Sequence, residues 1–293
     1  MTRLSLRRLL VVAVLASSAL HGARGAAPAA QEDLATFVAR LESEMRGRIG
    51  VAVHQPETGW SFAYRQDERF PMASTFKPLL CAGVLAQVAR GDSSLDKVIR
   101  YEADEIVSWS PLTEDAREIT LGDACAAALS HSDNTAANVA LGSLGGPQGL
   151  TDYLRSIGDA TTRLDRWETD LNEARPGDPR DTTTPRAMLA SLEKVTLGKT
   201  LSESSREQLL AWMAKNSVSD ALIRSVLPDG WTVADRSGAG GYGTRNITAV
   251  LHDARGRSLV VVIFLTQTES IAAERNRAVA RLAKRLIAAA PAR

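Results

Sequence analysis

The sequence predicts an α/β fold of the α+β type, with one antiparallel sheet built from both termini, helices on its faces and an inserted all-helical lobe. Three observations lead there. β-favouring runs lie near both ends, at Ile49 to Val53 and Trp60 to Tyr64, then at Thr232 to Ser237, Arg245 to His252 and Leu259 to Leu265. The stretch between them is rich in alanine and leucine at helical spacing. An amphipathic helix opens the folded part and another closes the chain. Joining the two strand groups into one sheet lets each element bury its apolar side.

In chain order, Leu34, Phe37, Val38 and Leu41 place an apolar stripe on a first helix over 33–45, with Asp33 as an early acid near its start. Pro56-Glu57-Thr58-Gly59 reads as the turn of a hairpin between the first two strands. Helical segments follow at Phe76 to Ala89, Leu121 to Leu129, Thr135 to Leu144 and Gln148 to Ile157, broken by Gly91-Asp92, Gly145-Gly146-Pro147 and Gly158-Asp159. Arg166 to Pro185 is polar, contains prolines and has almost no period, so it is a long functional or mobile loop. Helices return at Pro185 to Leu197 and Glu203 to Lys215. After the last strands, Ile271 to Ala290 closes as a helix with Val279, Leu282 and Leu286 on one face. Its arginines opposite that stripe suit a helix packed on a sheet better than one lying on a membrane. The implied parts are a signal (1–25), an α/β lobe (26–70 with 216–293), an all-α lobe (71–215) and a loop at 166–185 facing the cleft between lobes.

Composition bounds the function. The 293 residues are 44% hydrophobic and 24% charged, enough for a sizeable core. Arg3, Arg7 and Arg8, the apolar run Leu9 to Leu20 and the small-residue site Ala23-Arg24-Gly25 read as a secretory signal; the run is well short of the roughly 20 residues a membrane span needs. Its removal takes the formal charge from +1 to −3, and nothing suggests a nucleic-acid partner. The expected location is periplasmic or secreted, with no membrane association after cleavage. In an oxidising compartment the two cysteines, Cys81 and Cys125, are expected to pair, closing a loop worth about 4 kcal/mol in the chain-entropy model; two buried thiols are the alternative. The four histidines are scattered without ligand spacing, so neither a metal nor a cofactor is expected.

The chemistry gathers around Ser74-Thr75-Phe76-Lys77. On a helix, i and i+3 share a face, so the Lys77 amine, with its pKa lowered by burial, can take the Ser74 proton and leave a nucleophile near a helix N-terminus. About one S-x-x-K is expected by chance in a chain this long, and Ser94 to Lys97 and Ser191 to Lys194 are two more. The other features decide. Ser132-Asp133-Asn134 is the only S-D-N in the chain; Ser132 can relay a proton and Asn134 can offer its amide, although the same tripeptide also makes an ordinary helix cap. Asp235-Arg236-Ser237-Gly238-Ala239-Gly240-Gly241 ends a strand with glycines that allow close backbone approach, and Arg236, Ser237 and Arg245 suit an anionic substrate.

Together with Arg166-Trp167-Glu168-Thr169-Asp170-Leu171-Asn172, these motifs resemble the class A serine β-lactamases over roughly residues 30 to 290, in order and spacing. Cys81, Cys125 and Trp212 also match that family. The resemblance implies a monomeric enzyme without cofactor that hydrolyses a small-molecule β-lactam through an acyl-enzyme and so confers antibiotic resistance. It implies that Ser74 attacks the lactam carbonyl and that the N–H groups of Ser74 and Ala239 form the oxyanion hole. Either Lys77, or Glu168 through a water, removes the serine proton, and Ser132 protonates the leaving nitrogen. Glu168 and Asn172 then activate the hydrolytic water, Asn134, Arg236, Ser237, Gly238, Arg245 and Trp109 contact substrate, and Arg166 with Asp181 clamps the loop.

The departure is Arg236-Ser237-Gly238, where most members carry lysine at the first position. The RSG form resembles the carbenicillin-hydrolysing branch, which implies a preference for penicillins, including carboxylated ones. Ala73 and Gly240 stand where carbapenem-hydrolysing members have a cysteine pair. The competing readings are a penicillin-binding D-alanyl-D-alanine peptidase and a non-catalytic β-lactam sensor domain. Glu168 with Asn172 separates the family from both.

Overall fold

The sheet forms as the sequence predicts, with strands from both chain ends. A computed structural model describes Met1 and residues 33–291; apart from Met1, the expected signal lies outside the described residues. Helix α1 (Leu34–Met45) buries Phe37, Val38 and Leu41, its apolar stripe. Strands β1 (Arg48–Gln55) and β2 (Trp60–Tyr64) pair in a hairpin turned by Gly59 at φ 70°, whose N–H donates to the Gln55 carbonyl at 2.9 Å. The sheet is completed by β7 (Thr232–Ala239), β8 (Arg245–His252) and β9 (Ser258–Thr266), introduced here out of chain order because they share it. All pairs are antiparallel, in the order β2-β1-β9-β8-β7.

Two short pairings escape a pattern reading. Strand β3 (Phe70–Pro71) pairs with β6 (Thr182–Thr183), and β4 (Val98–Arg100) with β5 (Glu118–Thr120). Strands of two or three residues show no alternation to detect. The β3–β6 pair staples the end of the 166–185 loop to the chain just ahead of Ser74.

The helices are α2 (Lys77–Ala89), α3 (Leu121–Ser130), α4 (Asn134–Ser143), α5 (Gly146–Ser156), α6 (Pro185–Thr196), α7 (Glu203–Ala214) and α8 (Ala272–Ala289), within a few residues of expectation. Two apolar cores lie on opposite faces of the sheet. One joins α2, α3, α4 and their neighbours to Val260, Val262 and Phe264; the other joins α1 and α8 to Leu259, Val261, Ile263 and Leu265. The period-2 alternation of β9 feeds both. Among the described residues no helix is long and apolar enough to cross a membrane.

The expected disulfide is corrected. Cys81 and Cys125 are both wholly buried and are free thiols, facing each other from α2 and α3. Cys81 Sγ lies 3.8 Å from the Cys125 carbonyl oxygen, and burial, with the hydrogen bond to Cys125, pushes the Cys81 thiol well above its ordinary range. Without a bond between the sulfurs, the two helices meet through the buried core they share, and a protonated thiol in such a setting behaves as a small hydrophobe.

Candidate active site

Ser74 sits not in α2 but in the 3-10 turn Ala73–Phe76 that leads into it, and the Lys77 N–H donates to the Ser74 carbonyl. Ala73 carries φ 44°, a left-handed conformation that is uncommon for alanine. The turn is held from the sheet: Asn246 of β8, fully buried, donates its side-chain amide to the carbonyls of Pro71 (2.8 Å) and Met72 (3.0 Å). Strand β7 lies against the same turn. A Cβ at Gly238 would meet the Met72 oxygen at 2.9 Å and the Ser74 nitrogen at 3.2 Å, so only glycine allows this approach.

Lys77 is wholly buried and its Nζ is the hub of the site. It lies 2.7 Å from Asn134 Oδ1, 2.9 Å from the Ser132 carbonyl, 3.3 Å from Ser132 Oγ and 3.1 Å from Glu168 Oε1. Burial holds this amine below the ordinary lysine range, Glu168 pulling the other way and Arg236 adding to the depression. The sequence suggested a Ser74–Lys77 contact; the hydrogen bond of Ser74 Oγ runs instead to Glu168 Oε1, at 3.5 Å.

The S-D-N tripeptide does both things its residues allow. Asp133 caps α4 through the Ala136 N–H at 2.8 Å and also accepts from Thr113 Oγ1 at 2.7 Å. That leaves Ser132, at φ 61°, and Asn134 turned toward Lys77, with Asn134 Nδ2 donating to the Ser108 carbonyl.

Glu168 is buried and positioned on every side. Its peptide N–H donates to Asn138 Oδ1 and its carbonyl accepts from Asn138 Nδ2, both at 2.9 Å. Its carboxylate accepts from Asn172 Nδ2 at 2.5 Å, while Asn172 Oδ1 is buried with no protein partner. The loop is closed at its base by Arg166 Nε on Asp181 Oδ2 (2.6 Å) and Arg166 Nη1 on Glu173 (2.6 Å). Asp181 also accepts the N–H groups of Asp165 and Arg166. Asn138, Asn246, Asp165 and Glu173 were missed from the sequence. Each is a single polar residue outside any motif, and only the fold reveals its partner.

These groups open on a cleft of about 570 Å³ lined by Ser74, Trp109, Ser132, Asn134, Asn172, Arg236, Ser237, Ala239 and Arg245, within the size range of small-molecule sites. Arg236 is almost wholly buried; its guanidinium donates to the carbonyls of Leu129 (3.1 Å) and Ser237 (3.0 Å) and to Ser237 Oγ (3.2 Å). Burial lowers it to about 10, partly countered by Asp235 and reinforced by Arg245, and it stays cationic at neutral pH. Arg245, held by Asn276 Oδ1 at 2.8 Å, is likewise lowered to about 10 by burial and by Arg275. Trp109, at φ 62° and 63% exposed, stands at the mouth with its indole N–H on the His131 carbonyl at 3.0 Å. The arrangement joins a hydroxyl, a buried amine, a loop carboxylate and a cationic wall.

Comparison with known proteins places the fold in a family. Residues 32–290 match the family model described as the Beta-lactamase enzyme family. An ancestral class A β-lactamase (GNCA) is 48% identical with a TM-score of 0.85, the match covering 88% of this chain and all of that one. The class A enzyme of the last common ancestor of Gram-negative bacteria (GNCA4) is 47% identical, covering 87% and 98%, also at 0.85. The chromosome-encoded β-lactamase of Vibrio parahaemolyticus is 43% identical, covering 87% and 98%, at the same score. With its five-stranded antiparallel sheet and flanking helices, the chain belongs to the β-lactamase enzyme family and is a class A β-lactamase.

Proposed function

We propose that this enzyme hydrolyses penicillins, carbenicillin-type substrates included, by a two-step path through a Ser74 ester, and so confers resistance to them. The observation that carries the reading is the meeting of Ser74 Oγ, Lys77 Nζ and Glu168 Oε1 within 3.5 Å of the shared carboxylate oxygen. In acylation, Ser74 Oγ bonds to the lactam carbonyl carbon while its proton passes to Lys77, or through a water to Glu168. The oxyanion forms against the N–H groups of Ser74 and Ala239. The C–N bond then breaks and Ser132 delivers a proton to the nitrogen, replenished from Lys77. In deacylation, Glu168 takes a proton from a water, the resulting hydroxide adds to the ester carbon, and Ser74 leaves with its proton restored. Asn172 Oδ1, buried without a protein partner, supplies an acceptor for that water.

Arg236, Ser237 and Arg245 suit the substrate carboxylate, and the RSG form with Ala239-Gly240-Gly241 supports placement in the carbenicillin-hydrolysing branch. We further propose a signal at 1–25, export to the periplasm or medium, a monomer, and lobes at 26–70 with 216–293 and at 71–215. The test is Glu168→Gln mixed with benzylpenicillin. Mass spectrometry is expected to find a persistent adduct on Ser74 with kcat down at least 1,000-fold, whereas unimpaired product release would sink the assignment. A panel adding carbenicillin, an oxyimino-cephalosporin and a carbapenem tests the branch: turnover of carbenicillin comparable to benzylpenicillin is expected, and carbenicillin resistance to hydrolysis would remove it.

A further inference from the structure

A second recess of about 560 Å³ lies behind Glu168, outside the catalytic cleft. Its wall is a stripe of α4 at Thr135, Asn138, Val139 and Gly142, the i, i+3, i+4, i+7 spacing of a single helix face. Trp167, 44% exposed, and Tyr101 supply aromatic surface, while Lys97 and Arg100 stand at the rim. Arg100 pairs with Glu118 at 3.1 Å, and the Glu105 carboxylate is engaged by the Glu102 N–H at 2.7 Å. Among the described residues, Lys97 has no carboxylate within ion-pair distance, while the Glu105 carboxylate on the same lining is turned to its own capping box, so Lys97 is the cation left to meet an anionic group.

The recess shares its wall with the catalytic machinery. Asn138 holds both backbone groups of Glu168, Trp167 is the residue before it, and α4 begins at Asn134, 2.7 Å from Lys77 Nζ. We propose that this recess is a second ligand site, for a small aromatic carboxylate, and that its occupancy displaces Glu168 and slows deacylation. The ring stacks against Trp167 and the carboxylate meets Lys97. The proposal rests on the acyl-enzyme reading with Lys77 as the base in acylation, because it assigns the effect of displacing Glu168 to the second step alone.

The probe is 2-naphthoate, with binding and benzylpenicillin turnover both followed by calorimetry. Slowing only deacylation lowers kcat and KM together and leaves kcat/KM unchanged; at saturation kcat is expected to fall at least fivefold. Two variants address the site. Gly142→Leu fills the hollow, since a Cβ there meets nothing within 4 Å and the helix tolerates it, and Lys97→Gln removes the rim charge. Each is expected to weaken naphthoate binding at least tenfold. A rise in KM at constant kcat would place the probe in the catalytic cleft and overturn the proposal. So would equal binding to the variants, no measurable binding, or binding without effect on kcat. If benzylpenicillin were not hydrolysed even without naphthoate, the proposed function would fail, while the binding heats and their loss in the variants would still read the recess.

Discussion

Gly238 is where a single hydrogen in place of a methyl group decides the site. A Cβ there meets the Met72 oxygen and the Ser74 nitrogen, both backbone, so no flexible side chain can yield and the turn must move. That turn carries one of the two N–H groups assigned to the oxyanion. Gly238→Ala is therefore expected to lower kcat/KM for benzylpenicillin by about 100-fold, the cost of losing one oxyanion donor, with a smaller loss in melting temperature. Unchanged kcat/KM in pre-steady-state acylation would remove β7 from the catalytic geometry. Residues of this kind were legible because they stand inside short motifs whose spacing survives in one dimension. Asn246 and Asn138 were not: their partners are more than a hundred and about thirty positions away in sequence, and nothing local to an asparagine announces a carbonyl it will meet after folding. The cysteines fail differently, since pairing was inferred from compartment and count, neither of which fixes the bond.

The 166–185 loop shows what an element without periodicity can still reveal. Its polarity and prolines mark it as a loop, and the family resemblance implies Arg166 with Asp181 as a clamp, yet the clamp is a wider network. Arg163 binds Asp165, which accepts the Asp181 N–H at 2.9 Å; Arg180 binds Asp178; and Arg166 and Arg175 both bind Glu173. Burial pushes the Asp165 carboxyl up, but Arg163 and the Asp181 N–H outweigh it and hold it below its ordinary range. The Arg166 guanidinium lowers Glu173, and Arg180 lowers Asp178. Groups whose folded pKa is depressed contribute stability above their unfolded values, about 4, and lose it as pH falls through the folded ones. The melting temperature is thus expected to hold above about pH 5 and to fall steadily below about pH 4. Asp165→Asn should melt about 3–6 °C lower at pH 7, the loss of about 1.5 kcal/mol of charge-assisted bonding, and should show a shallower acid limb. Parallel acid limbs for the two proteins would show that Asp165 does not carry the linkage.

For the whole molecule, the deciding fact is that one sheet serves two cores. Val262 belongs to the core of α2, which begins at Lys77 directly after the turn that holds Ser74, Val261 faces α1 and α8, and both are fully buried on the same strand. The sequence disclosed this strand as a continuous apolar run, the signature of burial on both faces, but not its central place between β1 and β8, which depends on pairings across the length of the chain. Chains of this size commonly unfold through intermediates. Here, loosening either core exposes the other face of β9 and unpairs the strands on which the second core rests. Val261→Ala and Val262→Ala are each expected to cost about 1–3 kcal/mol and to shift the same urea transition, seen alike by tryptophan fluorescence and far-ultraviolet circular dichroism. If Val262→Ala produced an early transition that left the α8 side protected in hydrogen exchange, the helical region would be unfolding by itself, and the shared strand would not be what couples Ser74 to the rest of the fold.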